Sequence, residues 1–90
     1  MNEVQDNPAA HRFELVANGE IAIAEYRLEE DRIVFTHTMV PPALEGQGIG
    51  SRLVRGALDQ VRARGLKVVP RCPFVRAYIE RHEEMQDLLA

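Results

Sequence analysis

Residues 39–53 read MVPPALEGQGIGSRL, and this stretch decides the architecture of the chain. Two prolines end an apolar segment, and three alternating glycines, Gly46, Gly48 and Gly50, then lead into residues with helical periodicity. Because glycine carries no side chain, the backbone N–H groups of such a turn can approach an anion closely. The unpaired N–H groups at the start of a helix add a partial positive charge. The stretch therefore predicts a strand, an anion-binding turn and a helix in succession.

Two better-known glycine motifs do not fit this turn. A dinucleotide-binding fingerprint has the spacing G-x-G-x-x-G, whereas these glycines alternate strictly. A P-loop ends in Gly-Lys-Ser or Gly-Lys-Thr, and neither tripeptide occurs in the chain. The glycine pattern therefore predicts that an anion binds at this turn, but it does not indicate which anion. A tight strand-to-helix turn that binds nothing is the alternative explanation.

Composition limits the classes of protein to which the chain can belong. Its 90 residues, 46% of them hydrophobic, indicate one globular domain near the lower size limit for a self-sufficient core. We therefore expect a monomer or a weak homodimer. The net charge of −3 argues against nucleic acid as a partner. We also expect no membrane partner, because the sequence contains neither a spanning apolar segment nor a recognisable signal peptide.

The cysteine and histidine content predicts the compartment and argues against a metal site. Cys72 is the single cysteine, so the chain forms no internal disulfide, which is typical of the cytoplasm. The three histidines, His11, His37 and His82, are scattered and lack the spacing of metal ligands. We expect a cytoplasmic protein without a metal cofactor.

Hydrophobic periodicity predicts an α/β (α+β) fold. Residues 1–10 are polar and small and are expected to form a flexible arm, which leaves residues 11–90 as the single domain. Strands are expected near residues 13–17, 20–28 and 32–40 as an antiparallel meander, with Asn18-Gly19 as a hairpin turn and Ile21 and Ile23 on one face. A helix of about 16 residues ends at Gly65, and a strand at residues 66–69 and a helix at residues 73–82 follow. Because a helix connects them, the fourth strand should run parallel to the third.

Four segments carry a family resemblance. They are HTMVP at residues 37–41, EGQGIGSRL at residues 45–53, VPRCPF at residues 69–74 and AYIERH at residues 77–82. The glycine turn is similar to the acyl-CoA loop Gln/Arg-x-x-Gly-x-Gly/Ala, with Gly48 and Gly50 in the last two positions and Glu45 departing from the first. On these segments the chain resembles the GNAT superfamily of acetyltransferases. It is most similar to a minimal single-domain branch with a His-Thr strand and a Cys-Pro-Phe turn.

The resemblance implies a mixed sheet, with acetyl-CoA as co-substrate and an amine as acceptor. The third and fourth strands would splay apart, and the pantetheine arm of CoA would lie between them and pair with backbone near Met39 and Val40. Full-length members surround the acceptor with further helices and strands, so here we expect an acceptor pocket that is open, completed by another chain, or absent. The implied cofactor-binding residues are Met39, Val40, Glu45, Gly46, Gln47, Gly48, Ile49, Gly50, Ser51, Phe74 and Tyr78. Arg81 is a further candidate, either as a partner for a CoA phosphate or as a solvated charge.

Cys72 is the first candidate for chemistry. Pro73 suits the first position of a helix, which places Cys72 at the N-cap, where the helix dipole stabilises a thiolate. If the thioester lies nearby, Cys72 can accept the acetyl group and pass it on. The alternative is a small buried hydrophobic residue, a role that cysteine often has.

His37 and Tyr78 are the other two catalytic candidates. By alternation His37 shares a strand face with Ile33, Phe35 and Met39, where it is either a general base or a structural group. The spacing of Tyr78 indicates the core. The resemblance implies that Tyr78 protonates the departing CoA thiolate.

Two residues of the long helix call for an explanation. Arg52 lies in the first turn, where a cation opposes the helix dipole unless an anion is bound. Gly56 lies in mid-helix at a cost of about 1 kcal/mol relative to alanine, and we expect close packing on the sheet as the reason.

Three functions remain open from the sequence. The leading one is an acetyl-CoA-dependent N-acetyltransferase that acts on an amine of a small molecule or protein, either directly or through Cys72. The second is a non-catalytic module that binds CoA or acyl-CoA. The third, and weakest, is a protein that binds another phosphate ligand.

Overall fold

A computed structural model describes residues 2–90 as a five-stranded sheet with helices packed against it. The strands are β1 Gln5–Asn7, β2 Arg12–Ala17, β3 Glu20–Glu29, β4 Arg32–Met39 and β5 Lys67–Pro70. The α-helices are α1 Ile49–Ala63 and α2 Pro73–Arg81, and short 3₁₀ helices cover Pro8–Ala10, Pro42–Leu44 and Glu83–Leu88. Within residues 2–90, no helix is long and apolar enough to cross a membrane.

The strands follow the chain order from β1 to β5 across the sheet. Neighbours are antiparallel from β1 to β4, and β4 and β5, which α1 connects, are parallel. The predicted meander, the parallel strand and both helices are confirmed. Asn18 and Gly19 join β2 to β3 as a two-residue turn in which both have positive φ, 51° and 77°, as the Asn-Gly pair predicts.

The N-terminal residues are part of the fold, and the prediction of a flexible arm over residues 1–10 is wrong for the described residues 4–10. β1 pairs with β2 from Gln5↔Glu14 to Asn7↔Arg12, and Val4 is only 2% exposed. The Tyr26 hydroxyl donates to Asp6 at 2.6 Å, which fastens β1 to the sheet. Three polar residues give no alternation, so the pairing of β1 is not visible in its sequence.

Gly56 packs against the N-terminal residues. The prediction that it packs closely on the sheet is therefore wrong. A Cβ atom built on Gly56 would lie 2.6 Å from the side-chain oxygen of Asn2 and would also overlap the side chain of Val4. The absence of a side chain in mid-helix therefore lets the chain cross α1 closely.

The prediction that Ile21 and Ile23 share one face of β3 is confirmed, and the opposite face, with Ala22, Ala24 and Tyr26, is the buried one. Phe13 and Leu15 of β2 lie opposite Ala24 and Ala22, and all four are buried. The alanines leave room for the Phe13 ring, which lies 5.2 Å from the Tyr26 ring, between centroids. Ile21 is 44% exposed on the other face.

A β-bulge changes the faces of β4. Glu25 pairs with His37 and Tyr26 pairs with Phe35, so Thr36 has no partner in the register. A bulge inserts one residue and reverses the alternation beyond it. The prediction that His37 shares the face of Ile33 and Phe35 is therefore wrong, and His37 is exposed on the opposite face.

The splay between β4 and β5 is present at the same place. Pairing of the two strands ends at Phe35↔Pro70, and the Cys72 N–H then donates to the Phe35 oxygen at 2.9 Å. Residues 37–39 keep partners in β3, and residues 36–39 have none in β5. Just before the glycine turn, one backbone edge of β4 therefore has no partner strand in the described part of the chain.

Candidate functional site

The glycine turn has the backbone conformation that its residues predict. After the 3₁₀ helix Pro42–Leu44, Gly46 and Gly48 have φ of 79° and 72°, and Gly48 is the N-cap of α1. Residues with a Cβ atom rarely adopt this left-handed region. A Cβ atom on Gly48 would meet nothing within 4 Å, so the space in front of this backbone is open.

The N-terminus of α1 has free hydrogen-bond donors. Among residues 2–90 no side chain caps it, and its first turn contains no acidic residue. The Arg52 N–H makes the first intrahelical bond, to the Gly48 oxygen at 3.1 Å, and the preceding N–H groups have no partner of that kind. Free donors and the positive end of the helix dipole both favour an anion here.

A cavity of about 280 Å³, which we call the loop cavity, lies over this turn. Phe74 of α2 forms one wall, and its ring packs against Gly50, where a Cβ atom would lie 2.7 Å from the ring. Most of the residues implied as cofactor-binding gather here. The lining residues are Val40, Leu44, Glu45, Gly46, Gly48, Ile49, Gly50, Ser51 and Phe74.

Four of the candidate cofactor-binding residues lie outside the loop cavity. The Gln47 amide donates back to the Ala43 oxygen at 3.2 Å. Met39 is 53% exposed, and Arg81 is exposed in the last turn of α2. The fourth, Tyr78, lines a different groove.

Cys72 is the N-cap of α2, as the sequence predicts, with Pro73 at the first helical position. Its side chain is only 4% exposed and belongs to the hydrophobic core. The Cys72 sulfur lies 3.2 Å from the Thr38 hydroxyl, across the splay between β4 and β5. Thr38 is a residue for which sequence reasoning proposed no role, because the bulge at Thr36 is what turns it toward Cys72.

Tyr78 lies on the second, larger cavity of about 750 Å³, which we call the helix groove. Its ring is 3% exposed and stacks on His82, with centroids 3.8 Å apart and planes 12° from parallel. Hydrogen bonds with Glu84 and the Tyr78 hydroxyl raise the pKa of Arg55 above its usual range. The groove is lined by Asn2, Glu3, Ser51, Arg52, Arg55, Gly56, Asp59, Tyr78 and His82.

The three catalytic candidates do not come together in the loop cavity or in the helix groove. His37 and Cys72 line neither the loop cavity nor the helix groove, and Tyr78 lines only the groove. Ser51 lines both cavities, so the two adjoin at the first turn of α1. Within residues 2–90, no group of three or more His, Cys, Asp or Glu side chains could hold a metal ion.

The fold and the loop agree with the family comparisons. A family described as GCN5-related N-acetyl-transferase matches residues 12–88, which is most of the chain. The protein therefore belongs to the GCN5-related N-acetyltransferase (GNAT) family, and the mixed sheet with its helices is the fold of that family.

Individual relatives are more distant. The chain is 31% identical over 83 residues to Protein NATD1 of Gallus gallus, an alignment that covers 89% of this chain and 76% of the relative. It is 32% identical over 82 residues to Protein NATD1 of Homo sapiens, covering 88% of this chain and 73% of the relative. The solution structure of a GCN5-like putative N-acetyltransferase from Staphylococcus aureus superposes with a TM-score of 0.74 at 26% identity, covering 99% of this chain and 88% of that one.

Proposed function

We propose that the protein is an acetyl-CoA-dependent N-acetyltransferase of the cytoplasm, and that the glycine turn binds the CoA pyrophosphate. The observation that carries this proposal is the uncapped N-terminus of α1, which opens onto the loop cavity beside left-handed glycines. CoA is a ligand that the family uses, and its pyrophosphate matches these donors chemically.

The unpaired edge of β4 supports the position of the pantetheine arm. Backbone groups of residues 36–39 lack a partner in β5, and pantetheine contains two amide groups that can pair with such an edge. Val40 lines the loop cavity and continues directly from that edge. A ligand that follows both features would bring its thioester into the splay between β4 and β5.

The reaction has two routes on this geometry. In direct transfer the amine nitrogen attacks the thioester carbonyl, the C–S bond breaks, and the CoA thiolate takes up a proton. In the second route the Cys72 thiolate attacks first, CoA leaves, and the amine then attacks the acetyl-cysteine. The observations that support Cys72 as the nucleophile of this second route are its N-cap position and the Thr38 hydroxyl 3.2 Å from its sulfur. His37 is our candidate base and Tyr78 our candidate acid.

A second candidate function is a CoA or acyl-CoA binding module without catalysis. The observation that favours it is that, of His37, Cys72 and Tyr78, the loop cavity contains none and the helix groove only Tyr78. Mass spectrometry after incubation with acetyl-CoA distinguishes the two functions. An acetyl adduct on Cys72, or acetylation of an added amine, supports the enzyme, and intact CoA binding with neither product supports the module.

Calorimetric titration with acetyl-CoA tests the binding site that both functions share. Gly48→Asn places a side chain in the open space before the α1 N-terminus, while asparagine tolerates positive φ better than most residues. The affinity should fall by more than about tenfold, equivalent to about 1.4 kcal/mol. Gly19→Asn is the matched control, because Gly19 has the similar φ of 77° and open surroundings in the hairpin turn.

Thermal stability gives an independent measurement. A ligand that binds only the folded state adds about 2.7 kcal/mol to the free energy of unfolding at a hundredfold excess over Kd. The melting temperature should rise with acetyl-CoA in the wild type and in Gly19→Asn, and much less in Gly48→Asn. Equal affinity of a folded Gly48→Asn variant would refute the proposed site.

A further inference from the structure

Arg52 lies beside the loop cavity, but its guanidinium already forms an ion pair with a carboxylate of the same chain, that of Glu3. Its guanidinium donates to both carboxylate oxygens of Glu3, at 2.5 and 2.9 Å. Arg52 lines the helix groove next to Ser51, which also lines the loop cavity. Among residues 2–90, Glu3 is the only salt-bridge partner of Arg52, whereas Arg55 pairs with both Glu84 and Asp59.

The residues around Glu3 are fixed without using its carboxylate. The Asn2 amide donates to the Gly56 oxygen at 2.8 Å, and the Val4 N–H donates to the Asn2 side chain at 2.9 Å. The Gln60 amide donates to the Val4 oxygen at 2.6 Å, and Val4 is 2% exposed. The backbone of residues 2–4, which we call the strap, is therefore anchored on α1 on both sides of Glu3.

The ion pair itself is easily exchanged. The side chains of Arg52 and Glu3 are 51% and 47% exposed, and exposed ion pairs stabilise a fold only weakly. A phosphate presents oxygens of the same geometry to a guanidinium and carries more charge than a carboxylate, so it competes well for Arg52.

We propose that Glu3 is a built-in competitor for the nucleotide ligand: its carboxylate holds Arg52 in the free protein, and a ligand phosphate displaces it. The inference rests on the proposed binding of CoA at the glycine turn. When the ligand binds, Arg52 exchanges one anion for another and the Glu3 side chain turns to solvent while the strap stays in place. Glu3 thus lowers the affinity below the level that the loop and Arg52 would give together.

Glu3→Gln tests this exchange, because it removes the charge and keeps the shape. Calorimetry with acetyl-CoA at low salt should give an affinity about two- to fivefold higher than that of the wild type, the scale of one exposed ion pair. Glu29→Gln is the control for net charge, since Glu29 pairs with Arg27 near the opposite end of β4 from the glycine turn. That variant should bind like the wild type. Raising the salt should shrink the gain in Glu3→Gln, because salt screens exposed charges.

The Arg52→Gln variant tests whether the increase in affinity caused by Glu3→Gln depends on Arg52. This variant should bind acetyl-CoA several-fold more weakly than the wild type, and adding Glu3→Gln to it should produce no gain. Dephospho-CoA, which lacks the 3′-phosphate, distinguishes the two phosphate sources. If Glu3→Gln raises the affinity for CoA but not for dephospho-CoA, Arg52 binds the 3′-phosphate. If it raises the affinity for both ligands equally, Arg52 binds the pyrophosphate.

Two results would overturn the exchange while leaving the proposed function intact. They are an unchanged affinity in Glu3→Gln, or the same gain in the Arg52→Gln background, in a protein whose binding still depends on Gly48. A wild type that fails to bind acetyl-CoA at all would refute the proposed function, and the exchange with it.

Discussion

The two α-helices begin in similar ways but with different access to solvent. Neither N-cap residue, Gly48 for α1 or Cys72 for α2, makes a side-chain capping bond. At α1 the turn is open, and a Cβ atom on Gly48 would meet nothing within 4 Å. At α2 Cys72 is 4% exposed, and its N–H is already bonded to Phe35. A helix N-terminus binds a ligand only where its donors can be reached, so α1 is suited to binding and α2 to holding a thiol.

The largest effect that we predict concerns the N-terminus of α2, where it tests whether Cys72 has a chemical role. Cys72→Ala should abolish the acetyl adduct measured by mass spectrometry, while the affinity for CoA stays within about threefold, because Cys72 does not line the loop cavity. Cys72→Ser should form almost no adduct, since a serine hydroxyl is scarcely ionised at neutral pH.

Alkylation of the thiol provides the control for that prediction. Iodoacetamide should modify Cys72 in the free protein, and bound CoA should slow that modification. Modification at the same rate with and without CoA, together with full acetylation of an amine by Cys72→Ala, would mean that transfer is direct and that Cys72 only packs in the core.

A smaller effect is expected where the two helices touch. A Cβ atom on Gly50 would lie 2.7 Å from the Phe74 ring, and such overpacking costs about 1–3 kcal/mol. Alanine regains up to about 1 kcal/mol of helix propensity, so Gly50→Ala should lower the free energy of unfolding by about 1 kcal/mol. For a domain of this size that is a fall in Tm of about 4–8 °C.

The double variant Gly50→Ala/Phe74→Ala identifies the cause of that loss. Without the ring there is no overlap, so Gly50→Ala should stabilise the Phe74→Ala protein by a few tenths of a kcal/mol. If Gly50→Ala destabilises both backgrounds equally, the contact between α1 and α2 does not explain the glycine.

The smallest effect concerns the scaffold far from both helix starts. Hydrogen bonds from Asn7 and then Arg12 hold the pKa of Glu14 below its ordinary value of 4.5. A carboxyl with a lowered folded-state pKa contributes stability above its unfolded pKa and loses it as the pH falls through the folded pKa. As the pH is lowered below about 4.5, Tm should therefore decrease, and this decrease should be less steep in Glu14→Gln than in the control Glu20→Gln. If Tm decreases equally steeply with pH in both variants, the hydrogen bonds of Glu14 do not contribute to the loss of stability in acid. The affinity for acetyl-CoA should differ little between the two variants.

The amphipathic character of α1 and the glycine turn were predictable because both depend on local spacing. Gly46 and Gly48 adopt the positive φ that their type favours, and Pro73 begins α2. The face of His37 was not predictable, since a bulge at Thr36 leaves no mark in a β-branched sequence. The contact between Thr38 and Cys72 depends on that bulge and joins residues far apart in the chain.

The N-terminal residues illustrate the other limit of sequence reasoning. β1 has three polar residues, and the ion pair between Glu3 and Arg52 joins positions 49 residues apart. Gly56 in mid-helix was a visible signal of close packing, but only the fold identifies the strap as the segment that it accommodates.

Amide NMR during titration with acetyl-CoA tests the central claim most directly, that the open start of α1 binds the pyrophosphate and the free edge of β4 binds the pantetheine arm. We expect the largest shift changes in residues 46–51 and 36–39, while Gly19, a glycine of similar conformation in the hairpin turn, stays unchanged. Saturable shifts confined to other residues, with Gly46, Gly48 and Gly50 unmoved, would contradict it.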